Sequence, residues 1–161
     1  MKMPEPQKEH QWLEKLVGEW TYEGDAPATP GDPPVKFGGT ERVRSLGGFW
    51  VIAEGEGDMP GGTKGQTVMT LGFDPDRGRY VGTWVGSMMG TLWVYDGELD
   101  AGGRVLTLHS EGPSMTGDGK TARYQDVIEM RSGDHRIFRA LVEGTDGTWQ
   151  QMMTSEYRRQ A

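Results

Sequence analysis

The sequence predicts an all-β protein: an antiparallel, up-and-down barrel of about ten strands with one capping helix at its N-terminal side. Three observations carry that expectation. From residue 18 almost to the last residue, short runs alternate apolar and polar side chains with a period of two, the pattern of half-buried strands. The connections between these runs are short and built of turn residues, too short for the crossover that a parallel pair requires. Finally, 26 glycines accompany six Trp, five Tyr and four Phe, a composition of turns around an aromatic core rather than of a disordered chain. About ten strands with no second helix to cover a face are best satisfied by closure.

The elements follow in order. Residues 6–17 form the helix candidate: Pro6 suits a first turn, Trp12, Leu13, Leu16 and Val17 make a stripe on one face, and Gly18 is a natural stop. So short a helix must dock that stripe to persist. Strands are then expected at 18–24, 36–46, 49–57, 66–74, 78–86, 91–99, 104–111, 121–131, 135–143 and 148–158. Gly47-Gly48, 74–78, 100–103, 132–134 and Asp146-Gly147 supply turns between them. Glycines inside strands, such as Gly55, Gly57, Gly72, Gly82 and Gly86, fit bends at barrel corners. Two longer connections, 25–35 with four prolines and 112–120, are expected to be flaps. One domain spans 1–161.

The bulk numbers exclude several functions. A net charge of −7 argues against nucleic acid and anionic membrane as partners, since both reward a basic face. The absence of cysteine excludes disulfides, thiol catalysis and cysteine-based metal sites. The first ten residues, MKMPEPQKEH, hold no apolar run, so no signal peptide is expected. The longest apolar run, 49–53, is far short of the ~20 residues of a spanning helix. A cytoplasmic location is the expectation.

The stretch KLVGEW (15–20) joins helix to barrel. Gly18 turns the chain, Trp20 points inward to fill the narrow end with ~200 Å² of apolar surface, and Arg158 or Arg159 can stack on the indole. Gly18, Trp20 and Arg159 thus form the expected structural plug. A short helix, then Gly-x-Trp, then an arginine late in the last strand resembles the calycin superfamily of lipocalins and fatty-acid-binding proteins. More of the chain resembles a narrower bacterial group, the DUF1579 family of lipocalin-like barrels. That resemblance lies in His10-x-x-Leu13-x-x-Leu16-Val17-Gly18-Glu19-Trp20, in Leu46-Gly47-Gly48-Phe49-Trp50, and in Leu71-Gly72-Phe73-Asp74-Pro75 with Tyr80-Val81-Gly82-Thr83-Trp84. It continues through Gly97-Glu98-Leu99-Asp100, Met115-Thr116-Gly117 and Tyr157-Arg158-Arg159. Phe73 stands where a tyrosine is usual and Thr154 where a glutamate is common. The resemblance implies a calycin-like barrel and a cavity, and no reaction.

Chemistry-bearing residues form no recognisable machinery. His10, His109 and His135 lie on separate elements without metal-ligand spacing. His109 alternates with Leu106 and Leu108 and should face out if those face in. The closing run 148–159 holds no histidine for haem, and Met152 or Met153 reads as core filling. No metal and no cofactor are expected. No serine has a nucleophile-elbow context, and Gly61-Gly62-Thr63-Lys64-Gly65 lacks the order of a phosphate loop, so it reads as a hairpin turn. Glu54 and Glu56 share one strand face. They pair with Arg42 and Arg44 if that face is outward, and Glu54 holds a ligand's polar group if it is inward.

The aromatic and methionine inventory stands out instead. Ten strands enclose more space than side chains alone fill at eight, and adaptable methionines with large rings suit a ligand pocket. Tyr22, Trp50, Met69 and Trp84, with Met88, Trp93, Met153 and Glu54, are the candidate lining. The leading expectation is non-covalent binding of a small, largely apolar molecule. The alternatives are an enzyme using a buried Glu/Arg pair, with no catalytic residue assignable, and a module that forms a homodimer through an outer sheet face.

Overall fold

The computed structural model describes residues 1–27, 31–59 and 63–160. A helix α1 (Lys8–Leu13) and a tighter 3-10 turn (Glu14–Leu16) precede ten strands. These are β1 (Gly18–Pro27), β2 (Pro34–Leu46), β3 (Trp50–Asp58), β4 (Lys64–Asp74) and β5 (Arg79–Gly86), then β6 (Trp93–Leu99), β7 (Val105–Pro113), β8 (Thr121–Ser132), β9 (His135–Glu143) and β10 (Trp149–Arg159). Each strand pairs antiparallel with the next, and β1 closes the ring on β10 from Trp20↔Arg159 to Asp25↔Thr154. The expected all-β closed barrel is therefore the observed one. Among the described residues no helix is long and apolar enough to cross a membrane.

The helix is shorter than its sequence pattern suggests. Pro6 lies before it, Gln7 is the N-cap, and the last turn winds as a 3-10 turn before Val17 becomes extended. That tightening brings the chain into β1 within one residue. The apolar stripe is buried all the same, with Trp12, Leu13 and Leu16 in the core and Val17 packed against it. Of the two expected flaps, 25–35 is strand at both ends: β1 continues to Pro27 and β2 starts at Pro34, while 28–30 lies outside the described residues. Of the hairpin read at 61–65, Gly61 and Gly62 also lie outside them. The backbone N–H of Met59 donates to the Thr63 carbonyl beside that gap, at 2.9 Å.

Parity sets what faces in. Inward residues include Trp20 and Tyr22 on β1, Val51 and Ala53 on β3, Tyr80 and Trp84 on β5, and Leu106 and Leu108 on β7. The helix closes one end, which we term the floor. There the Trp12 indole donates to the Gly103 carbonyl at 2.7 Å and the Tyr80 hydroxyl to that of Glu9 at 2.9 Å. His10 is buried in the same contact. Its Nδ1 accepts from the Gln7 N–H at 2.9 Å, so Nε2 carries the proton toward the Phe73 carbonyl at 3.0 Å. The opposite end, ringed by the loops after β5 and β7, is the mouth.

Candidate ligand cavity

The floor is built around a column of alternating cations and rings. Register creates it: Trp20 lies opposite Arg159, Tyr22 opposite Tyr157, and Tyr157 opposite Arg136. The Arg159 guanidinium sits 4.3 Å from the Trp20 ring, and Arg136 covers the other side at 4.6 Å. Arg136 is also 4.1 Å from Tyr157, whose ring stacks on Tyr22 at 4.8 Å. Arg159 does more than stack. Its Nη1 donates to the Val17 carbonyl at 2.6 Å and its Nη2 to Lys15 at 3.0 Å, satisfying carbonyls where the 3-10 turn ends. Gly18 is required there twice over, since its φ is +138° and a Cβ would lie 2.2 Å from Arg159 Nη1. The plug residues Gly18, Trp20 and Arg159 thus meet at one point, whereas Arg158 is exposed on the outer face.

One buried ion pair borders this column. Arg136, 3% exposed, donates from Nη2 to Glu41 Oε1 at 2.5 Å, across the barrel from β9 to β2. Its Nε has no protein partner among the described residues. No local pattern in the sequence links these two residues, so the Glu and Arg of the expected buried pair are assigned only by the fold. Above it lies an inner cavity of about 160 Å³, lined by Tyr22, Met69, Trp84, Met153 and Tyr157 among others. Burial, followed by the Glu41 charge, holds the Tyr157 hydroxyl well above the usual tyrosine range.

A second, larger cavity of about 480 Å³ occupies the mouth, and Trp84, Phe138 and Met153 line both. Its outer wall is made by Trp93, Tyr124, Met89 and Met115. The β6–β7 ladder explains how it opens. Pairing between them runs only from Leu99↔Leu106 to Asp96↔His109, leaving their mouth-side halves unpaired with each other. Trp93 occupies that slit, with its ring over Gly112, where a Cβ would approach the indole to 2.3 Å. Trp93 meets Tyr124 edge to face, centroids 5.0 Å apart at 86°. On the cavity wall the Tyr95 hydroxyl donates to Asp126 Oδ2 in a short hydrogen bond. Burial pushes the Asp126 carboxyl up to about 6, against the pull of that bond. Burial, reinforced by Asp126, also drives Tyr95 well above the usual tyrosine range.

The structure places Tyr22, Met69, Trp84, Trp93 and Met153 of the sequence-derived candidates around these two cavities. Three candidates stand elsewhere. Trp50 is 41% exposed on the outer face, its ring lying over Gly72. Glu54 is also outside, 3.5 Å from Arg44 in an ion pair, so it offers no polar group to the interior. The cause is that the inward positions of β3 are the small ones, Val51, Ala53, Gly55 and Gly57. Gly57 and Gly39 leave room for the Tyr22 hydroxyl, which a Cβ on either would crowd. Met88 lies on the rim against Gly65 and Gly86. His109 faces outward onto Glu98 at 2.8 Å and His135 onto Glu156 at 3.1 Å. Tyr95 and Asp126 were missed, although Asp126 shares its parity with Tyr124, Ile128 and Met130.

With this geometry the chain belongs to the DUF1579 family, proteins of unknown function, whose model matches residues 5–159. No curated protein matches it. Its fold is similar to that of Rv2717c from M. tuberculosis, with a TM-score of 0.67 and 15% identity, covering 98% of this chain and 100% of that one. It is also similar to the S-type phycobiliprotein lyase CPES from Guillardia theta, at a TM-score of 0.61 and 16% identity, covering 97% and 99%. At these identities the likeness is one of fold.

Proposed function

We propose that the protein reversibly binds a small, largely apolar molecule in the mouth cavity, without covalent chemistry. The observation that carries this reading is a cavity of about 480 Å³ walled mainly by rings and methionines, including Trp84, Trp93, Tyr124, Phe138 and Met153. Rings give area and shape, methionines adapt to it, and a few polar groups fix orientation, which is the make-up of small-molecule sites. The inner cavity extends the same wall toward the floor for a slender end of the ligand.

Titration with an environment-sensitive apolar dye tests the reading. Binding should be one-to-one, quench tryptophan fluorescence, and weaken in Trp84→Phe and Trp93→Phe. A dye displaced by salt and indifferent to both substitutions would falsify it. A second reading, homodimerisation, draws on the outer face of β4 to β6, where Val68 lies opposite Val85 and Val94 is exposed on the next strand. Sedimentation of the protein across a concentration series checks it, and a monomer throughout removes it.

A further inference from the structure

We infer that the mouth cavity takes an organic cation, an apolar body bearing one ammonium group, with Asp126 as its counter-charge and the neighbouring rings as its walls. This rests on the binding role proposed for that cavity and adds the ligand's charge. Several polar groups of the cavity are committed already. Tyr95 donates to Asp126 Oδ2, the Tyr124 hydroxyl donates to the Pro113 carbonyl at 2.6 Å, and the Trp93 indole N–H points to Met89 Sδ at 3.3 Å. Among the described residues no Lys, Arg or His lines the cavity. The Thr91 and Ser110 hydroxyls that also line it are neutral, so among the described residues the formal charge on offer is the Asp126 carboxylate, which accepts.

The groups packed around Asp126 give it no cation. Leu108 faces it from β7, Ala140 from β9 and Tyr95 from β6, while the Tyr157 hydroxyl on β10 is near enough to feel its charge. Arg136, further along β9, is held by Glu41. A carboxylate in apolar surroundings without a cation is costly, and a ligand that brings one recovers that cost on binding. With its proton lost above about 6, Asp126 is charged at neutral pH. Trp93 and Tyr124 meet at 86° and form a corner of ring faces and edges, and ring faces attract ammonium groups. Such a pocket disfavours an anion, which would meet Asp126 with no basic partner.

Three probes with one apolar body separate the possibilities: phenylbutylamine, phenylbutanol and phenylbutyrate, titrated by calorimetry near neutral pH. The amine should bind at least about tenfold tighter than the alcohol, as expected of a charge-assisted hydrogen bond, with the butyrate weakest. Asp126→Asn should bring the amine to the level of the alcohol and leave the alcohol unchanged. As pH falls through about 6 the amine should weaken as Asp126 takes up its proton, while the alcohol stays level. Should Asp126→Asn not fold, Tyr95→Phe decides together with the pH series, since it keeps the carboxylate and should bind the amine at least as well as the parent. An alcohol or butyrate that equals the amine, or an amine preference that survives Asp126→Asn, overturns the cation and leaves the cavity reading standing. No heat and no tryptophan quenching with any of the three removes both.

Discussion

The two ends of this barrel use similar side chains to opposite effect. At the floor Trp20, Leu13 and Leu106 are 0–1% exposed, and the Trp20 indole N–H donates to the Leu16 carbonyl at 2.9 Å. At the mouth Trp84 and Trp93 keep solvent contact, and Met89 and Met115 are 46% and 57% exposed. Ring size does not explain the contrast, since both ends are rich in tryptophan. The floor has a helix whose stripe enters the barrel and a pair of arginines that fill the faces of Trp20. Among the described residues the mouth has neither, and ten strands enclose too wide a ring for side chains alone to fill. A plug converts barrel interior into core, and its absence leaves a pocket.

Breaking the floor should have the largest effect. Trp20→Ala removes the centre of the column and should cost roughly 3–5 kcal/mol in chemical denaturation, as other buried Trp truncations do. A loss below about 1 kcal/mol would place the stability elsewhere. Glu41→Gln leaves Arg136 buried without its counter-charge and should cost about 3 kcal/mol. Replacing both partners by apolar residues, Glu41→Leu with Arg136→Met, should recover much of that, because the pair's desolvation is then no longer needed. If the double variant is as unstable as the single one, the cation between Trp20 and Tyr157 matters more than the ion pair.

The mouth should respond weakly, and in one case with the opposite sign. Asp126 has a folded pKa raised from 3.8 to about 6, so between those values the folded state binds more protons than the unfolded one. Its contribution to stability is therefore present at low pH and lost as pH rises through that window. Asp126→Asn should stabilise the protein at neutral pH by on the order of 1–2 kcal/mol, a gain that fades below about pH 4. Unfolding curves at three pH values measure it, and a destabilising result at neutral pH would mean that Tyr95–Asp126 is a structural bond. Smallest of all, Trp93→Phe should change stability by less than about 1.5 kcal/mol, as volume-adapting swaps do. A larger loss would make the slit between β6 and β7 part of the core.

The floor was the more legible end. Helix stripe, Gly18, Trp20 and Arg159 lie in local patterns, and alternation with turn chemistry gave strands close to those observed, from β2 at 36–46 to β9 at 135–143. The helix was overestimated because a 3-10 turn and an α-helix share the same residues at their junction. Facing was harder. Trp50 and Glu54 looked like lining because large or functional residues attract that reading, yet the interior of β3 is small so that Tyr22 can lie against it. The Glu41–Arg136 pair joins positions 95 residues apart on strands that are not neighbours, and no local pattern encodes such a pairing. Asp126 did leave a signal, a single acid in an apolar parity set, which reads as strand polarity until the position of Tyr95 is known.

The seam between β1 and β10 has a consequence for how the chain comes to be folded. Arg159 reaches carbonyls that lie 142 and 144 residues before it, and Trp20 has its partner on β10, a strand synthesised long after it. At ordinary ribosomal speeds roughly ten seconds pass between the two. During that interval β1 can pair with β2, but its other edge stays open, a template for pairing with another chain. Trp20 meanwhile lacks both arginines. Contacts of such long sequence separation also form late in spontaneous refolding. The largest fully buried side chain among the described residues is thus among those left uncovered longest while the molecule is being made.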